Sequence, residues 1–107
     1  MTEFDEKLLY WIENILEDDP LPDEIRFVYF CIVMDKSSFH LEMRGSELKN
    51  TRYFEYWPLE AQCFFYDYPK DVNAFKEELI LSIKNLPIFE DRKIYLLFAG
   101  KLTKINC

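Results

Sequence analysis

Seven consecutive residues, Phe27-Val28-Tyr29-Phe30-Cys31-Ile32-Val33, are apolar or aromatic without a polar interruption. The run is too short for a buried helix and is rich in β-branched and aromatic residues, so it reads as a strand. A strand with no polar face cannot border water on either side. It therefore predicts the centre of a sheet, covered above and below, and the rest of the chain has to supply the cover.

Two stretches have the periodicity to do so. From Glu3 to Glu17, Phe4, Leu8, Ile12, Ile15 and Leu16 recur at spacings of three and four, joined by Leu9 and Trp11, the pattern of an amphipathic helix. Thr2 is placed to cap it with Asp5 at the return position, and Pro20 and Pro22 stop it. From Val72 to Leu86 a second stripe runs through Phe75, Leu79 and Ile83, widened by Ile80, with Asp71 as its cap and Pro87 as its end.

Between them, Asp35-Lys36-Ser37-Ser38 is turn chemistry, and Phe39, Leu41 and Met43 then alternate with His40, Glu42 and Arg44. That alternation predicts a hairpin whose second strand has one wet face. Ala61 to Asp67 reads as a third strand, and Lys93 to Ala99 as a fourth that Gly100 bends into an extension carrying Leu102 and Ile105. The expected fold is α+β in the order α-β-β-β-α-β, a two-layer sandwich with a mainly antiparallel sheet and helices on one face. The third and fourth strands, joined through a helix, are expected to be parallel. At 107 residues the chain suits a single domain, 1–107.

Charge is distributed very unevenly over this fold. Glu3, Asp5, Glu6, Glu13, Glu17, Asp18, Asp19, Asp23 and Glu24 face a single early cation, Lys7, whereas residues 61–107 carry a net charge of +1. Glu17, Asp18 and Asp19 fall at the negative pole of the first helix, where carboxylates cost several tenths of a kcal/mol each. An acidic face repels phosphate backbones and anionic lipid, which disfavours direct nucleic-acid or membrane binding and favours a basic partner. The same charge also serves solubility, the plainer reading. No apolar run approaches the roughly 20 residues needed to span a bilayer, and the acidic N-terminus is unlike a secretory signal, so a cytoplasmic location is expected. Cys31, Cys63 and Cys107 form no CxxC pair or even framework and are expected to be reduced and structural.

Catalytic signatures are missing. His40 is the sole histidine, so any triad or histidine-based metal site would depend on it alone. The two glycines, Gly45 and Gly100, belong to no phosphate-binding loop. Acidic pairs such as Asp18-Asp19, Asp23-Glu24 and Asp67 with Asp71 match no calcium loop. The expectation is a protein that is not an enzyme and holds no cofactor or metal.

Aromatic residues occupy half of the sixteen positions from Tyr53 to Tyr68. A core is the default place for such rings, but with charges interleaved they cannot all point inward, and exposed tyrosine and tryptophan anchor protein interfaces. The candidate partner-binding residues are thus the acids Asp18, Asp19, Asp23, Glu24, Glu42, Glu47, Glu55 and Glu60 with the aromatics Tyr53, Tyr56 and Trp57.

The segments Trp11-Ile12-Glu13-Asn14-Ile15-Leu16 and Leu21-Pro22-Asp23-Glu24-Ile25, the strand Phe27-Val28-Tyr29-Phe30 and the closing Ile94-Tyr95-Leu96-Leu97-Phe98 make the chain resemble the small cytosolic immunity proteins of bacterial polymorphic-toxin and contact-dependent growth inhibition systems. The resemblance implies a stoichiometric inhibitor that binds a cognate toxin domain, often a nuclease, and blocks its active site. Carboxylates would then imitate phosphates in a basic cleft and speed association by long-range attraction. The alternative is a general interaction or regulatory module with no toxin partner, in which the Tyr53 to Trp57 region meets another protein.

Overall fold

A computed structural model of the chain describes residues 3–35, 38–49, 52–58, 71–85, 89 and 91–105. They form an α+β fold with a mixed sheet: α1 (Glu3–Asp18), β1 (Phe27–Asp35), β2 (Ser38–Ser46), α2 (Val72–Lys84), β3 (Lys93–Phe98) and β4 (Lys101–Lys104). The expected third strand at 61–67, the caps and stops at Thr2 and Pro87, and Glu60, Cys63, Leu86 and Cys107 lie outside the described residues.

The described strands lie in the order β2-β1-β3-β4. β1 pairs antiparallel with β2 in a hairpin that sets Phe27 opposite Ser46 and Cys31 opposite Glu42. β3 does lie parallel to a neighbour, but that neighbour is β1, with Tyr29 opposite Tyr95. The third strand at 61–67, expected to run parallel to β3, lies outside the described residues, and β4 takes the other edge of β3. The two most continuously apolar runs pair side by side, each hiding one edge of the other.

Side chains of β1 divide by the period of two that a strand imposes. Val28, Phe30 and Ile32 join Leu41, Met43, Ile94 and Leu96 in a core that includes Phe4, Leu8, Ile12 and Ile15 of α1 and Phe75, Leu79 and Ile83 of α2. The helices meet through an edge-on pair, Phe4 with Phe75 at 5.6 Å, and through the Ser82 hydroxyl, which donates to the Asp5 carboxylate. Asp71 caps α2 as expected, its carboxylate accepting from the Ala74 amide at 2.9 Å. On the opposite face Tyr29, Cys31 and Tyr95 form a second cluster packed by Phe27, Phe54, Leu97 and Leu102. The central strand is covered on both faces.

β4 is a true strand and not the simple extension expected after Gly100. Phe98 pairs with Lys101 across a two-residue turn in which Ala99 has φ 53° and Gly100 φ 76°. Two consecutive positive φ angles are the signature of the primed hairpin turn, which glycine and asparagine adopt readily and alanine does not. Replacing Ala99 with Asn is expected to stabilise the protein by about 0.5–1 kcal/mol, and Gly100→Ala to destabilise it by about 1 kcal/mol. Urea denaturation reads both; equal midpoints for all three proteins would show that this turn is not left-handed.

Candidate partner-binding surface

The predicted binding residues fall mainly at one end of the sheet, where β1 begins, β2 ends and β3 begins. α1 reaches that end at Asp18, and the Asp19 amide donates to the Ile15 carbonyl at 2.8 Å to finish the helix. A tight turn follows, closed by the Ile25 amide on the Pro22 carbonyl at 3.1 Å, and it carries Asp23 and Glu24 outward. Arg92 fastens this turn to the start of β3: its Nε donates to the Ile25 carbonyl at 2.8 Å and its Nη2 to that of Pro22 at 3.2 Å.

Residues 52–58 arrive at the same place along the edge of β2. Gly45 and Tyr56 exchange two backbone hydrogen bonds, of 2.9 and 3.0 Å. Only glycine allows that approach, since a Cβ on residue 45 would lie 2.6 Å from Cγ2 of Ile25 and 3.1 Å from Cβ of Tyr56. The Tyr56 hydroxyl then donates to the Asp19 carbonyl at 2.6 Å, linking the aromatic segment to the acidic end of α1. Glu55 accepts from the Glu47 amide at 2.9 Å and holds the two sides of this loop together.

What the surface displays follows from these ties. Asp18, Asp23, Glu24, Glu47 and Glu55 are exposed and Asp19 is half-buried. Asp18, Asp19, Asp23 and Glu24 form no ion pair among the described residues, and the last turn of α1 contains no basic residue. Beside the acids, Leu48 is 77% exposed, Tyr53 68% and Trp57 54%. Tyr56 is not part of the display: at 6% exposure it holds the surface together from beneath.

Glu42 is placed differently. The alternating face of β2 is not wet as expected, because Arg44 is 8% exposed and His40 and Glu42 are half-buried. One Glu42 oxygen takes Arg44 and the other lies 2.9 Å from Nε2 of His40. The second Arg44 nitrogen donates to the Met43 carbonyl at 2.8 Å, and its guanidinium carbon sits 3.9 Å from the Trp57 ring centre. Sequence reasoning missed Arg44, Gly45 and Arg92 as organisers; the available signal for Arg44 was an acid flanked by two bases at period-two spacing on one strand face.

Cys31 lies across from Glu42, which raises the question of thiol chemistry. Burial pushes its pKa from 9.0 to about 11, against the lowering influence of Arg44, with Glu42 adding a further rise. A thiol in that state is protonated at neutral pH and is a poor nucleophile. Among the described residues no three His, Cys, Asp or Glu side chains come together as a metal site, and no helix is long and apolar enough to cross a membrane.

Two outcomes follow. Tyr56→Phe removes the bond to Asp19 and is expected to cost about 0.5–1.5 kcal/mol, with faster amide exchange at residues 45 and 56; unchanged exchange would mean the segment is held by other contacts. Cys31 has a raised folded pKa, so its contribution is complete below pH 9 and is lost as pH climbs towards about 11. Stability is expected to fall by on the order of 2–3 kcal/mol over that interval and more gently in Cys31→Ala. Tyr56, raised to about 12 by burial and then by the Asp19 carboxylate, continues the decline in the same direction. Urea titrations across this range that run parallel for wild type and Cys31→Ala would contradict the assignment.

No family model, curated protein or solved structure matches this chain. Its functional reading therefore rests on the chemistry of this surface.

Proposed function

We propose that the protein is an immunity protein, a cytoplasmic, non-enzymatic inhibitor that binds a cognate bacterial toxin domain and covers its active site with an acidic and aromatic surface. The scaffold in this reading is a two-layer sandwich with both helices against one face of the sheet. The toxin domain is a nuclease by charge complementarity, since a cleft built for phosphates is cationic and carboxylates can occupy it.

The observation that carries the reading is the junction at Tyr56. Its hydroxyl joins a group of acids with no ion pairs among the described residues to a segment that exposes Tyr53 and Trp57. Acids of one sign left uncompensated at a helix C-terminus destabilise the free protein slightly, a penalty that salt or a docked cation relieves. Exposed aromatic anchors supply the short-range affinity that charge alone does not. A general interaction module would draw on the aromatic half of this surface and leave the acids to serve solubility alone.

The test uses the C-terminal domain of the secreted protein encoded immediately upstream. Wild-type protein is expected to bind it one to one and to abolish its nuclease activity. Reversing Asp18, Asp23 and Glu24 to lysine is expected to slow association about tenfold or more at low salt, with the difference shrinking as salt rises and with little change in melting temperature. Association rates equal to wild type at every ionic strength would remove the acidic turn from the interface, and capture of a housekeeping protein in place of the toxin domain would favour the general module.

A further inference from the structure

We draw no further inference here: the strongest candidate, the sheet face opposite α1 and α2 where exposed Lys49, Lys93 and Lys104 gather around Tyr95, carries none, because exposed Glu47 and Glu55 in the adjoining loop offset those lysines and nothing in the structure shows what covers that face.

Discussion

The structure is organised by the need to cover β1 twice. Its helix-facing side chains, Val28, Phe30 and Ile32, are sealed by α1 and α2, a solution that any amphipathic helix pair can provide. Tyr29 and Cys31 face the other way, and among the described residues the non-strand side chain packed on them is Phe54. Covering that second face brings residues 52–58 against the edge of β2 and close to the end of α1. The exposed aromatics are therefore a by-product of burial: to place Phe54 inward, a short extended segment must turn Tyr53, Glu55 and Trp57 outward.

The same constraint explains why the acidic and aromatic features converge. Tyr56 sits in the segment that covers β1, and its hydroxyl ends on the last turn of α1, so the position of one feature determines that of the other. Gly45 makes the arrangement possible by leaving the Ile25 side chain, Cβ of Tyr56 and the Phe27 carbonyl the space that a Cβ of its own would fill. Arg92 secures the neighbouring turn through backbone carbonyls, and the carboxylates of Asp23 and Glu24 form no ion pair among the described residues. Satisfying carbonyls with a guanidinium orders this end of the sheet without drawing on Asp23 or Glu24.

Much of the scaffold was legible because its signals are local. The stripe through Phe4, Leu8, Ile12 and Ile15, the Asp71 cap and the unbroken run of β1 each report on their own segment. The failures were failures of long-range information. An arginine at Arg44 reads as solvated until a tryptophan thirteen positions on is known to lie over it. β4 was hidden because Ala99-Gly100 lacks the asparagine or aspartate that usually announces a two-residue hairpin, and the parallel partner of β3 could not be chosen from order alone. Within the candidate site, the identities of the acids and rings were readable, whereas their division into displayed residues and supporting ones, Trp57 against Tyr56, depended on tertiary contacts.

Under the proposed function, the acids that form no ion pair among the described residues would turn a stability cost into binding specificity. Carboxylates at the C-terminal end of α1 and on the turn after it repel one another and the helix dipole in the free protein, at a few tenths of a kcal/mol each. In the proposed reading a cationic partner would remove that repulsion on docking, and the penalty would appear as a difference in affinity between basic and neutral surfaces. An aromatic anchor alone would accept any apolar recess, and an acidic face alone would accept any polycation. With the two on one end of a sheet, the proposed partner would have to satisfy both, and the Tyr56 hydroxyl is the bond that ties them together.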